Sequence, residues 1–229
     1  MTNMELKFFG RGAAFYPVWG NTNAFFTEDN DLYFLDFGES TFEKAVRMLD
    51  LKAYRRIFVL LTHLHADHAG SLASLCSYTH LVLGITIYVV HPVDTVVKLL
   101  RLEGIGDELY PYLPKLPENC AVEAEACPVQ HAADMQCFGY NLRTREDAVY
   151  FSGDAAELPE NILHLFLEGK IKRLYHDTSS HDSPAHCWYK RLEKAIPPER
   201  RKDVYCMHLD GDYEDMLKDL GFSVVQREA

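Results

Sequence analysis

The chain has 229 residues, of which 48% are hydrophobic and 12% aromatic, so it can bury a substantial core and is not a disordered protein. Its 34 acidic residues against 23 basic ones give a net charge of −11 at pH 7, which disfavours contact with long RNA or DNA. No apolar run approaches the roughly 20 residues that cross a bilayer, and the start MTNMELKFFG does not resemble a secretion signal. We therefore expect a cytoplasmic protein with no membrane contact.

The first half of the chain alternates between predicted strands and predicted helices. The continuous apolar run IFVLL is typical of a strand that is buried on both faces. A connection rich in Gly, Pro and Tyr at 104–117 has the length of a lid, a contact surface or an excursion beside a site. Strands are predicted at 5–9, 23–27, 32–37, 57–61 and 86–90, and helices at 41–50, 66–78 and 93–103.

The second half begins with consecutive hairpins and then returns to alternation. Strands are predicted near 122–130, 136–144, 147–152, 172–176 and 203–207, helices near 159–168 and 185–195, and a last helix and strand close the chain. This order predicts two sheets covered by helices. Since no shift in composition marks a linker, we expect one domain over 1–229. Six scattered cysteines without a C-x-x-C pair indicate reduced, mostly buried thiols.

The stretch THLHADHAG at 62–70 places three histidines and an aspartate directly after the buried strand. His63 and His65 are two residues apart, so on an extended segment their rings project to the same side. Asp67 and His68 come at the helix entry, where an aspartate alone would serve as a cap. Three imidazoles together would face desolvation and mutual repulsion, and a divalent metal removes that cost because it binds neutral imidazole and ionised carboxylate.

Further candidate ligands follow other predicted strands. His131, Asp154 and His208 each lie just beyond a strand, and open α/β sheets gather their sites at the carboxyl ends of strands. Asp154 is suited to bridge two metals about 3.5–4 Å apart that share a hydroxide. The predicted ligands are His63, His65 and His131 for one metal, and Asp67, His68 and His208 for the other.

At these motifs the sequence resembles the metallo-β-lactamase superfamily, and in particular its ribonuclease Z branch, over nearly the whole chain. The resemblance is carried by THLHADH, by the segments GRGAAFYPVWGNTNAFF and FLDFGEST, and by HAADMQCFGYNL, AVYFSGDAA and DVYCMHLD. It implies an α/β fold, the four-layer αββα metallo-β-lactamase sandwich. It also implies two divalent metal ions, usually Zn²⁺, with Mn²⁺ as the alternative.

The resemblance also implies a proton donor upstream of the last ligand, oriented by an acidic partner. The segment YHDTSSHDSPAHCWYKRLEKAI offers His186, which we expect to open a helix, with Asp177 as its partner and His181 as the competing donor. Alternatively, His186 only starts that helix and Asp177 only takes part in a turn. Asp67 is expected to act both as a ligand and as a proton acceptor.

The predicted function is metal-dependent hydrolysis of a small phosphodiester, by attack of the shared hydroxide. The chain lacks the basic arm of long ribonuclease Z forms, and 104–117 contains a single lysine, so a small nucleotide or cyclic nucleotide fits better than precursor tRNA. A ribonuclease Z-type endonuclease, a thioester or lactone hydrolase and a nucleotide-sequestering protein remain alternatives. The resemblance leaves a homodimer open.

Two weaker expectations concern substrate contacts. Tyr110 or Tyr112 would stack on a base, although tyrosines in such a loop more often pack internally. Arg143 and Arg145 would meet phosphate, although a solvated hairpin suits them better.

Overall fold

The computed structural model, which describes residues 4–228, has two six-stranded mixed sheets as its centre. The strands are β1 (Lys7–Phe8), β2 (Ala24–Glu28), β3 (Asp31–Leu35), β4 (Arg56–Leu60), β5 (Ile87–Val90), β6 (Tyr112–Leu113), β7 (Glu123–Val129), β8 (Cys137–Arg143), β9 (Ala148–Phe151), β10 (Arg173–Asp177), β11 (Val204–Met207) and β12 (Ser223–Val224). The first sheet has the order β1-β2-β3-β4-β5-β6 and the second β12-β11-β10-β9-β8-β7.

The two sheets share one topology although the sequence contains no repeat. In each, the first three strands pair antiparallel and the later ones pair parallel. Parallel strands end at the same edge, so the loops that follow β4, β9, β10 and β11 meet at one end of the molecule.

Helices cover the outer face of each sheet. They are α1 (Thr41–Met48), α2 (Ala66–Ala69), α3 (Leu72–Ser77), α4 (Thr95–Leu102), α5 (Glu160–Leu167), α6 (Tyr189–Ala195) and α7 (Glu214–Asp219), with a π-helical turn at Tyr78–Leu83 and 3₁₀ turns at Pro17–Trp19, Leu51–Ala53 and Pro198–Asp203. Among the described residues, no helix is long and apolar enough to cross a membrane.

Strand β4 explains why the layers hold together. Phe58 and Leu60 pack into the core between the sheets, while Ile57, Val59 and Leu61 pack beneath the helices of the first sheet. A third cluster lies between the second sheet and α5–α7. Both faces of the strand are therefore buried, which is why its sequence is continuously apolar. This is the predicted four-layer αββα sandwich.

Several predicted boundaries differ from the structure. The single helix at 66–78 is broken at Gly70 and Ser71, where two short helices meet. The helix predicted at 185–195 begins only at Tyr189, so His186 lies in the preceding loop and does not open a helix. The six cysteines are free and five are buried, as expected.

Candidate active site

The predicted site residues converge where the strands end. The THLHADH segment follows β4, His131 follows β7, Asp154 follows β9, Asp177 is the last residue of β10 and His208 follows β11. The seven predicted ligands fall into two groups, and within each group the donor atoms lie within 4.8 Å of one another. The structure thus brings together every residue that the sequence assigned to the two metals.

The first group consists of His63, His65 and His131. The Nδ1 atom of His65 lies 3.0 Å from Nε2 of His63 and 3.2 Å from Nε2 of His131. A tetrahedral zinc ion with Zn–N distances near 2.0–2.1 Å sets its nitrogens about 3.3 Å apart. The spacing of these three nitrogens is therefore close to that of a metal's ligands.

The second group consists of Asp67, His68, Asp154 and His208, all of them buried. Asp67 Oδ2 lies 3.2 Å from His68 Nε2 and 3.3 Å from His208 Nε2. Two imidazoles and two carboxylates thus converge with little of their surface exposed. A divalent cation would neutralise this set.

Asp154 touches both groups, with one oxygen toward each. Its Oδ1 lies 3.2 Å from His68 Nε2 and 3.3 Å from His208 Nε2. Its Oδ2 lies 3.5 Å from His131 Nε2 and 3.9 Å from His63 Nε2. This orientation is the one expected of a bridging carboxylate.

Polar groups behind the histidines turn the free ring nitrogens toward the centre. Nδ1 of His63 lies 3.0 Å from Thr62 Oγ1, Nδ1 of His68 lies 2.8 Å from Asp36 Oδ2, and Nδ1 of His131 lies 2.9 Å from the Ala185 carbonyl. In each ring Nε2 then faces the other ligands. Such outer contacts are the usual means of fixing the tautomer and orientation of metal-binding histidines.

Thr62 and Asp36 form the support beneath the motif. Asp36 Oδ1 accepts a hydrogen bond from the Thr62 backbone N–H at 2.7 Å, and Oδ2 accepts one from the Thr62 hydroxyl at 2.9 Å. Asp36 and the ligand His208 have left-handed backbones, with φ of 63° and 56°. Left-handed conformations of non-glycine residues cluster at functional sites because the surrounding structure must hold them there.

The charge states suit a metal in the first group. Burial lowers the pKa of His63 well below its usual value, and neighbouring histidines lower it further. Burial also lowers the pKa of His65. These rings are therefore neutral, as metal ligands must be.

In the second group the carboxylates are ionised and hold protons on the histidines. Burial raises the pKa of Asp154, but His208 and His68 outweigh it and the net pKa is well below the ordinary value. Conversely, burial lowers the pKa of His208, but Asp154, Asp177 and Asp67 raise it to about 10. Cation binding would displace these protons, since the same carboxylates attract a metal ion.

Unpaired buried atoms complete the test of whether metals fit. Four buried atoms make no hydrogen bond of good geometry with the described residues, although they lie in two close pairs: His68 Nε2 is 3.2 Å from Asp154 Oδ1, and His208 Nδ1 is 3.5 Å from Asp177 Oδ1. Buried polar atoms are rarely left unpaired in proteins, because each costs about 1–3 kcal/mol. Two of these atoms, on His68 and Asp154, face the second group, so the donor set fits divalent metals.

His186 and Asp177 form the predicted pair beside the metal groups. Nδ1 of His186 lies 2.8 Å from Asp177 Oδ2, and its ring stacks on His208 at 5.1 Å. Burial lowers the pKa of His186, but the hydrogen bond and charge of Asp177 raise it above its usual value. Asp177, His186, Asp154 and His208 also form a third potential ligand group. His186 is thus placed either to hold a proton or to bind a cation.

The site opens into a pocket of about 640 Å³. Its lining includes Phe15, Glu39, His181, His186 and five of the seven ligands, namely His65, Asp67, His131, Asp154 and His208. His181 is an exposed side chain whose Nδ1 lies 3.0 Å from Asp210 Oδ2. His186 contacts the rings of the ligands His131 and His208, whereas His181 pairs with Asp210, which favours His186 as the proton donor. Among the described residues that line the pocket there is no lysine or arginine.

For Tyr110, Tyr112, Arg143 and Arg145 the structure favours the alternatives to substrate contact. Tyr110 is buried in the core of the first sheet, and the Tyr112 hydroxyl donates to the His91 carbonyl, so neither lines the pocket. Arg143 and Arg145 line a separate polar pocket, consistent with a solvated hairpin.

Sequence reasoning missed several residues that shape the site. Asn23 donates to the Asp67 carbonyl at 3.0 Å and accepts from the Gly38 N–H at 2.6 Å, which ties the ligand loop to the end of β3. Asn23 belongs to the segment GRGAAFYPVWGNTNAFF and Thr62 to THLHADH, but neither was assigned a role of its own. Their position after or between strands was the available signal, but their partners are distant in the chain.

The comparisons with known proteins agree with this geometry. The family model "Anti-Pycsar protein Apyc1" matches residues 4–101 and 114–228. A relative of that name from Bacillus phage BSP38 is 27% identical over 244 residues, covering 95% of this chain and 93% of the relative. Another, from Paenibacillus xerothermodurans, is 23% identical over 234 residues, covering 94% and 91%.

Solved structures give the fold. The metallo-β-lactamase fold protein YhfI from Bacillus subtilis superposes with a TM-score of 0.76 at 12% identity, covering 96% of this chain and 95% of that one. Human tRNase Z, short form, superposes with a TM-score of 0.72 at 17% identity, covering 97% and 96%. These likenesses confirm the metallo-β-lactamase fold that the sequence analysis expected.

Proposed function

This chain belongs to the anti-Pycsar Apyc1 family, and from that premise we propose that it is a metal-dependent phosphodiesterase that hydrolyses cyclic mononucleotides. The relatives' shared name supports a cyclic nucleotide as the substrate, while the fold and the His/Asp cluster support metal-dependent hydrolysis. The observation that carries the proposal is Asp154, which faces one ligand group with each carboxylate oxygen. A site that shares one carboxylate in this way is suited to two metals acting on one phosphate.

The size and charge of the pocket favour a small substrate. About 640 Å³ is within the range of small-molecule sites, which run from about 300 to 1,000 Å³. A protein that binds a long nucleic acid needs several lysines or arginines to neutralise the phosphates. The described lining of this pocket contains none, and the chain carries a net charge of −11. A single phosphodiester can instead be neutralised on the pocket floor.

Divalent cations, when bound, would lower the pKa of a coordinated water and offset the charge that develops on the phosphoryl oxygens. His63, His65 and His131 would hold one, and Asp67, His68 and His208 the other, with Asp154 shared. We propose zinc, with manganese as the alternative.

The chain's own acid and base groups supply the proton transfers. His186 donates a proton from Nε2 to the departing oxygen, while Asp177 holds Nδ1 and keeps the ring charged before transfer. The lowered pKa of Asp67 makes this carboxylate a weak proton acceptor, so its main role is that of a ligand. The third ligand group is the rival interpretation of His186.

Turnover of a substrate panel tests the proposal. Protein loaded with zinc, and separately with manganese, is offered 3′,5′-cyclic mononucleotides, bis-p-nitrophenyl phosphate, a precursor tRNA, a thioester and a lactone. We expect metal-dependent release of linear nucleotides from the cyclic substrates. Cleavage of only the thioester or lactone would replace the proposal, and binding of nucleotide without product would favour a sequestering protein.

A further inference from the structure

The turn at 13–16 presents an aromatic side chain at the mouth of the pocket. Its backbone closes with a hydrogen bond from the Tyr16 N–H to the Ala13 carbonyl at 2.9 Å. Phe15 lies near the tip of this turn, with 99% of its surface exposed, and lines the pocket. Turn tips favour Gly, Asn, Asp, Pro or Ser, each for a backbone reason, so turn geometry does not account for a phenylalanine here.

The turn is held in place by the loop that carries the last ligand. The Ala13 N–H donates to the Leu209 carbonyl at 3.0 Å, and the Leu209 N–H donates to the Arg11 carbonyl at 2.9 Å. Thr22 extends the link, because its hydroxyl accepts from the His208 N–H at 3.1 Å. The turn therefore keeps a fixed position relative to His208 and the floor of the pocket.

Side chains on both sides of the turn fix it further. The Arg11 guanidinium donates to Glu214 at 2.6 Å and stacks on the Trp19 ring at 4.3 Å. Tyr16 packs edge-on against Trp19 at 4.9 Å. Among these aromatic residues only Phe15 is left without a partner ring in the described part of the chain.

The pocket divides into two chemical parts. The imidazoles and carboxylates that suit metals and phosphate form its floor, whereas Ala13, Ala14 and Phe15 add an apolar wall. With no described lysine or arginine in the lining, contacts beyond the phosphate fall to this apolar wall and to the polar side chains of Glu39, Ser179, His181 and Asp210. A nucleotide matches this division, because its phosphate suits the floor and every nucleobase has a face that stacks on an aromatic side chain.

We propose that Phe15 is a base-binding residue of this pocket and stacks on the nucleobase of the bound nucleotide. This inference rests on the proposed function, since it assumes that the phosphate lies on the floor. It explains why a large apolar side chain is exposed on an anchored turn beside a polar site.

A binding experiment tests the stacking without relying on turnover. Adenosine 5′-monophosphate and ribose 5-phosphate, which differ by the base, are titrated calorimetrically into the metal-loaded protein. The wild type should bind the nucleotide about 5- to 150-fold more tightly, the range that base stacking on an aromatic side chain gives. Phe15→Ala should lose most of that advantage and leave the affinity for ribose 5-phosphate unchanged, while Phe15→Trp should keep it.

Val18→Ala is the matched control, because Val18 lies on the same loop and is 73% exposed but does not line the pocket. It should bind both ligands like the wild type. An unchanged ratio in Phe15→Ala, or an equal loss for both ligands, would overturn the proposal. Light scattering adds a further test, since a lower molar mass of Phe15→Ala would assign the side chain to an interface with a second copy. Failure of the proposed function would instead appear as absence of phosphodiester turnover in the wild type.

Discussion

Replacing His186 by alanine tests the proton transfer most directly. Its Nδ1 is held 2.8 Å from Asp177, and its ring lies between those of His131 and His208, with centroid distances of 4.9 and 5.1 Å. The ring is 31% exposed, so Nε2 can reach a substrate in the pocket. Loss of a positioned general acid lowers kcat by about 10²–10⁴, which is about 2.7–5.5 kcal/mol of transition-state stabilisation.

The assay compares two leaving groups. A cyclic nucleotide expels a sugar alkoxide, which needs a proton, whereas bis-p-nitrophenyl phosphate expels p-nitrophenolate, which does not. We expect His186→Ala to lose about 10²–10⁴ in kcat on the cyclic nucleotide and less than about tenfold on the activated diester. A role in structure alone would lower both rates equally.

Metal analysis separates the two interpretations of His186. Because it belongs to neither of the two main ligand groups, the alanine variant should retain the wild-type metal content. Asp177→Asn is the companion variant, because it keeps the shape of the side chain but removes the charge that raises the pKa of His186. The decrease in kcat that it causes should depend on the leaving group in the same way. Equal losses on both substrates, together with lost metal, would refute the donor role and make His186 a ligand.

Three other predictions concern the metal groups and the fold. His65→Ala removes the nitrogen that lies 3.0 Å from His63 Nε2, so elemental analysis should find metal lost and activity abolished; retained metal and turnover would contradict the assignment. Gly38→Ala would place its Cβ against the backbone of Asp67, so we expect about 1–3 kcal/mol lower stability in urea and weaker metal binding. Burial raises the pKa of Asp31, but hydrogen bonds from Arg55 and Arg56 outweigh it and lower the pKa below its usual value. The ionised Asp31 carboxylate therefore stabilises the fold at neutral pH, and this stabilisation is lost as pH falls below about 4. Asp31→Asn should accordingly lower the free energy of unfolding by roughly 1–3 kcal/mol at pH 7 and by less at pH 3, and an equal difference at both would count against this ion pair.

The sequence predicted the layers because hydrophobic periodicity reports burial directly. IFVLL is apolar at every position since β4 is covered on both faces, and TFEKAVRM has helical spacing since α1 is covered on one. The ligand set was predictable for a related reason. Each of its members follows a strand, and strand ends in parallel sheets converge whatever the intervening chain does.

The parts that failed depend on contacts between distant residues. His186 was placed at a helix start from local pattern, but its Nδ1 contact with Asp177 and its ring contacts hold the segment in a loop until Tyr189. Tyr110 was one candidate for stacking on a base, with internal packing as the alternative, and its side chain packs under the first sheet. No local signal separates a tyrosine that turns inward from one that faces a pocket.

Phe15 and His186 both owe their positions to residues that are distant from them in the chain. Both belong to loops, and both are positioned by the ends of neighbouring strands: His186 through Asp177 at the end of β10, and Phe15 through hydrogen bonds to the loop after β11. Because β10 and β11 are adjacent and parallel, a shift of either strand would move one loop relative to the other. The distance between the proton donor and the aromatic wall is thus set by one strand pair. If a nucleotide spans that distance, substitutions that loosen the pairing of β10 and β11 should weaken base recognition and proton transfer together.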